Sequence, residues 1–165
     1  MNAAQLHLAI NHFPVVLDVV AAVACGWGAL RRSRAMQRHG LALAIVAAVA
    51  AVPTFLTGEP TAQLLGRDPA LLAQIHEHEE AAEAAFALIG VAGASAALSL
   101  ILFHRAHPKQ RLAFGISLVL LLAATGFVVR AAHEGGLIRH PELHAEWQPA
   151  PLTPAPTPPE VTQHP

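Results

Sequence analysis

Four apolar runs alternate with short polar connections along the chain. Leu8 to Leu30 is apolar apart from Asn11, His12 and Asp18, and its length suits a helix crossing a hydrocarbon core of about 30 Å. Leu41 to Leu56 is shorter and predicts an upright helix that ends at Pro53 and the turn Thr57-Gly58-Glu59-Pro60. The third run, Ala84 to Phe103, is entered without a breaker from a helix that begins near Ala70, after the turn Gly66-Arg67-Asp68-Pro69. Leu112 to Val129 is the fourth. Pro14 lies in the outer turns of the first run, so a start or bend is expected there, with Phe13 pushed from helical geometry and backbone groups freed near His12. The pattern predicts an all-α, integral membrane four-helix bundle over residues 1–147 and a disordered, Pro-rich tail over residues 148–165.

Composition sharpens this picture. With 54% hydrophobic and 13% charged residues in 165, the chain is too apolar for an ordinary soluble domain. A formal net charge of -1 argues against a nucleic-acid partner. Cys25 stands alone, which excludes an intrachain disulfide and a conventional zinc knuckle. The N-terminal Met1-Asn2-Ala3-Ala4-Gln5 lacks a basic start, so no cleavable signal peptide is expected.

The charges are distributed unevenly. Arg31, Arg32, Arg34, Arg38, Arg105, Lys109 and Arg111 fall in the two connections that share one side, whereas Arg67, Arg130 and Arg139 fall on the other. By the positive-inside rule the basic side is cytoplasmic, both termini lie outside the cytoplasm, and the expected location is a bacterial inner membrane. Every acidic residue except Asp18 falls on the outer side.

Four segments therefore deliver polar chemistry to one outer layer: Asn11 to Pro14, Thr57 to Pro60, His76 to Glu83, and Arg130 to Glu142. At 100° per residue, His76, Glu80 and Glu83 align with Gly90, Ala94 and Ala97, and small residues in a membrane helix predict a face turned into the bundle. His78 then points away. Gly126, Arg130 and His133 align in the same way on the fourth run, which makes Arg130 a candidate partner for Glu80 or Glu83. Asp18 shares a face with Asn11 and Cys25, about 15 Å into the bilayer. A carboxylate at that depth must be neutral or paired, and is a functional candidate by default.

The order of His12-Phe13-Pro14, His78 and the segment His133-Glu134-Gly135-Gly136-Leu137-Ile138-Arg139-His140 resembles a widespread bacterial family of four-helix inner-membrane proteins, known only as a domain of unknown function. The resemblance covers about Gln5 to Glu142. Members of that family are sometimes joined to Rieske iron-sulfur or c-type cytochrome modules, which implies an electron-transfer setting. This chain has one cysteine and no Cys-x-x-Cys-His, so any such partner is a separate periplasmic or membrane redox protein.

Three functions fit these residues. One is a haem b carrier with His12 and His133 as axial ligands, His78 or His140 as substitutes, Arg130 on a propionate and Asp18 in proton transfer. Another is a haem-free site for zinc, iron or copper(II), with His76, His78, Glu80, Glu59, His133 and Glu134 as ligands. The third is a helper subunit that uses its Pro-rich tail as a docking arm. Hydrolytic chemistry has no support, since neither a nucleophile elbow nor a phosphate-cradling glycine loop is present. The small-residue line leaves room for a second copy of the chain as partner.

Overall fold

The computed structural model describes residues 2–64 and 69–140. The turn at Gly66-Arg67-Asp68 and the Pro-rich tail, with His144 and His164, lie outside the described residues. Five helices form: α1 Ala3–Ile10, α2 His12–Leu30, α3 Arg34–Ala62, α4 Pro69–His104 and α5 Gln110–Arg139. Only Asn11 separates α1 from α2, and the two make one span, so four spans are long and apolar enough to cross a membrane. Around the bundle α2 packs on α3, α3 on α4, α4 on α5 and α5 back on α2, while α3 and α5 barely touch across the diagonal. Short connections make each sequential pair antiparallel.

The core is built mostly from alanine. Among the largest fully buried side chains are Leu41, Ile89 and Leu121, and the positions between them are filled by residues such as Ala21, Ala47, Ala92 and Ala124. Many larger apolar side chains point outward instead, with Leu30, Val49 and Val119 all more than 60% exposed. This arrangement suits a bundle with hydrocarbon as its solvent, where close backbone approach takes the place of a hydrophobic driving force. At Gly93 α3 and α4 approach closely, since an added Cβ would lie 2.5 Å from Ala48 Cβ. Hydroxyls join α4 to α5 near their middle, where Ser117 Oγ lies 2.8 Å from Ser95 Oγ and 2.9 Å from Ser99 Oγ.

Two prolines do not act where the sequence places their effect. The second span does not end at Pro53; α3 continues through Pro53 and Pro60 to Ala62. An interior proline removes one backbone donor and crowds the preceding turn, but neighbouring hydroxyls and helices stabilise such residues in membrane helices. Threonine hydroxyls do cap carbonyls along this stretch, Thr54 Oγ1 donating to Ala50 at 3.0 Å, Thr57 Oγ1 to Pro53 at 2.8 Å and Thr61 Oγ1 to Thr57 at 2.7 Å. None of them reaches the Val49 and Leu56 carbonyls four residues before the prolines, so it is packing against the neighbouring helices that holds α3 through them. Likewise the first span breaks at Asn11 rather than at Pro14, and Phe13 is helical. Pro14 sits in the first turn of α2, where its missing N–H costs little. The carbonyl it leaves without its usual donor, four residues back, is that of Ile10, and Thr54 Oγ1 reaches it at 3.5 Å.

At about 1.5 Å per residue, the 36 residues of α4 span about 54 Å, well beyond a hydrocarbon core of about 30 Å. The excess carries His76, His78 and the glutamates above the apolar run. That is the layer in which the polar residues of the other spans also lie.

Candidate functional site

Two histidines face into this layer, and each is fixed by a backbone carbonyl. On α1, half-buried His7 brings Nδ1 to 3.0 Å from the Thr54 carbonyl and 3.2 Å from Thr57 Oγ1, both on α3. On α4, half-buried His78 brings Nδ1 to 3.0 Å from the Ala131 carbonyl of α5. A carbonyl oxygen can only accept, so Nδ1 carries the proton in both rings. In a neutral imidazole, Nε2 is then the atom with the free lone pair. The helices that carry His7 and His78 do not pack against each other, since α1 rests mainly on α3.

Each ring has its own cradle. The His78 ring lies over Gly135, where an added Cβ would come to 3.0 Å from Cε1 and 3.3 Å from Nδ1. Gly135 therefore leaves the space that the ring occupies. His7 is held more loosely, with an added Cβ at Gly58 only reaching 3.6 Å from Cε1. Below this layer, Phe55 and Phe86 stack in parallel with centroids 4.3 Å apart, joining α3 to α4.

Asp18 is fully buried on α2, with no exposed surface, and meets α5 through Thr125. Thr125 Oγ1 lies 2.6 Å from Asp18 Oδ2 and 2.9 Å from the Leu121 carbonyl. The Thr125 hydroxyl is the donor in both contacts and shares its proton between the carboxyl and the carbonyl. Asp18 Oδ1 and, about two turns away on the same face of the span, Asn11 Oδ1 are buried without a hydrogen-bond partner among the described residues. Cys25 completes the inward line of Asn11 and Asp18, fully buried against Gly40.

The face of α4 is the reverse of the one that the small residues predict. Its buried side runs through Ile75, Ala81, Ala85, Ile89, Ala92, Gly93, Ala96 and Ser99, and half-buried His78 continues it. His76, Glu80 and Glu83 are exposed, as are Gly90 and Ala94, and a Cβ added at Gly90 would meet no neighbouring element within 4 Å. His76 Nε2 meets Glu80 Oε1 at 3.2 Å, one helical turn away in solvent. Alanine is present on every side of this helix, so its position does not identify the packed face. Gly126, Arg130 and His133 do share a side of α5, but it is also the exposed one. Among the described residues Arg130 forms no ion pair with Glu80 or Glu83.

The remaining candidates are spread around the rim. His12, His133, His140 and Glu59 are exposed and Glu134 is half-buried. No interaction joins His12 to His133 among the described residues. His76, His78, Glu80, Glu59, His133 and Glu134 are not gathered as a set, because no three His, Cys, Asp or Glu side chains come close enough among the described residues to hold a metal ion.

His7 is the residue that sequence reasoning missed. It lies ahead of the apolar run in which a span was sought, and it gains its meaning from Thr54 and Thr57, some fifty positions away. Its spacing was the available signal: His7 and Asn11 are one turn apart, and Asn11, Asp18 and Cys25 continue the same face. Comparison with protein-family models, with curated proteins and with solved structures finds no match.

Proposed function

We propose that this protein is an integral membrane electron carrier, with a b-type haem held at the histidine end of the bundle by His7 and His78. The observation that carries the reading is the matched pair of half-buried imidazoles on opposite elements, each with Nδ1 bound to a backbone carbonyl and Nε2 left as the donor atom. A histidine that ligates through one ring nitrogen commonly donates from the other to a carbonyl, which sets its tautomer and strengthens it as a ligand. Two such groups, with no group of three His, Cys, Asp or Glu among the described residues, would suit haem, for which His7 and His78 would be the holding residues, better than zinc, whose closed sites take four protein ligands and catalytic ones three. This reading takes His7 and His78 as the pair in place of His12 and His133, which the sequence suggests.

When bound, haem supplies a one-electron couple, and the chain's own residues do the rest. His7 ties the site to α3 through Thr54 and Thr57, and His78 ties it to α5 through Ala131. Arg130, next to the carbonyl that holds His78, is the candidate counterion for a propionate. Asp18 and Thr125, about 16 Å further along the first span by helical rise, form a proton-holding pair suited to balancing charge.

The test is the visible spectrum of detergent-purified protein, as isolated and after dithionite, with and without added haem. A Soret band with α and β bands sharpened on reduction, lost in His7→Ala and in His78→Ala, is the expected result. Protein that stays colourless after reconstitution, or a spectrum unchanged in both variants, would sink the reading.

A further inference from the structure

At the opposite end of the bundle a cavity of ≈ 440 Å³ opens between the two short connections, ringed by Arg32, Arg34 and Arg111 and floored by Phe103 and Phe114. Neither connection, Arg31 to Gly40 or His104 to Arg111, contains an acidic residue. Among the described residues no carboxylate pairs with any of the three guanidinium groups. The Phe rings meet edge to face, with centroids 6.1 Å apart, and make the floor apolar. Gln110 also lines the cavity, and its Oε1 is buried without a hydrogen-bond partner.

The backbone reinforces this arrangement. Arg32 has a φ of 53°, a left-handed conformation that residues with a Cβ seldom adopt. It closes α2 in the manner of a glycine, with Ser33 N–H donating to the Gly28 carbonyl at 2.9 Å. An arginine stands where glycine would be the less strained choice, and its side chain borders the cavity. Its neighbour Arg31 turns instead onto Trp27, 4.6 Å from the ring centroid.

We propose that this cavity binds a phosphoryl anion, supplied by the headgroup of an anionic phospholipid. Three unpaired guanidinium groups supply the charge-assisted donors that phosphate oxygens require. Basic pockets between membrane helices are suited to such headgroups. The phenylalanine floor accommodates the apolar start of an acyl chain. Gln110 Oε1 accepts a hydrogen bond from a headgroup hydroxyl, which favours phosphatidylglycerol over phosphatidic acid. This proposal is independent of the haem reading, because the site lies at the other end of the bundle.

The experiment is native mass spectrometry of the full chain in detergent, titrated with phosphatidylglycerol, phosphatidylcholine or soluble glycerol phosphate. Phosphatidylglycerol should be retained preferentially. Arg32→Gly, which relieves the backbone and so keeps the fold, should weaken retention about fivefold, and replacing all three arginines about a hundredfold. Gln110→Leu should erase the preference over phosphatidic acid. Glycerol phosphate that fails to displace the lipid supports the headgroup as ligand; displacement would place a soluble phosphorylated compound in the same anion site and overturn the lipid assignment. Equal retention of phosphatidylglycerol and phosphatidylcholine, or full retention after loss of all three arginines, overturns the proposal.

Discussion

The two ends of the bundle treat their charged and polar side chains in opposite ways. At the histidine end the inward imidazoles are consumed by backbone carbonyls, and the carboxylates are turned out to water, where His76 and Glu80 pair in solvent. At the basic end the guanidinium groups around the cavity have no carboxylate to answer them. An imidazole fixed through one nitrogen has one donor atom to offer, whereas an unpaired arginine offers a charge and a fork of donors. The first end presents nitrogen lone pairs and the second presents positive charge, and the two readings proposed above rest on that difference.

The largest expected effect lies within the histidine end itself. His7→Ala and His78→Ala should each abolish the haem spectrum, while His12→Ala and His133→Ala, on exposed positions, should leave it intact. A spectrum that survives the first pair and disappears with the second would reverse the comparison and restore the outward histidines as ligands.

Next in size is Thr125→Val, which deprives the buried Asp18 of the one partner it has in the fold. Loss of stability of about 1–3 kcal/mol is expected, the usual cost of leaving a buried polar group unsatisfied. Thr125→Ser should recover most of it, with both followed by thermal unfolding in detergent. A valine variant as stable as the parent would mean that water or another group already serves Asp18.

Smaller again is the contrast between the two cradles. Gly135→Ala pushes the His78 ring by a few tenths of an ångström against its carbonyl bond, which offsets the gain in helix propensity and should leave the protein no more stable, or less so by up to about 1 kcal/mol. Gly58→Ala meets His7 only at ordinary contact distance and should be neutral or stabilising by up to about 1 kcal/mol through helix propensity. The smallest effect belongs to His76→Ala, whose exposed partner Glu80 is one turn away. It should give no resolvable change in Tm at moderate salt.

How much of this was legible in the sequence differs by feature. The four spans were, because runs of apolar residues near twenty long report directly on a hydrocarbon solvent. Asp18 was also legible, since a carboxylate inside such a run has to be buried or neutralised, and Thr125 is its partner. The packed face of α4 was not. Soluble helices declare their face through a contrast between large apolar and polar positions, but here alanine and glycine occur all round and valine and leucine face lipid. The continuation of α3 past Pro53 and Pro60 was hidden for a related reason. What carries the helix through them is its packing against α2 and α4, and a proline signal alone carries no trace of that. His7 was hidden because its partners are tertiary.

Thr125 has a single hydroxyl proton and two oxygens to satisfy, and that small shortage bears on the membrane potential. A carboxyl at that depth is indifferent to voltage with its proton and sensitive to it without: a full negative charge part-way through a membrane's field is worth about 2.3 kcal/mol per 100 mV for a complete crossing and proportionally less at intermediate depth. Any proton that Asp18 gains or loses is therefore coupled to whatever potential lies across the bundle.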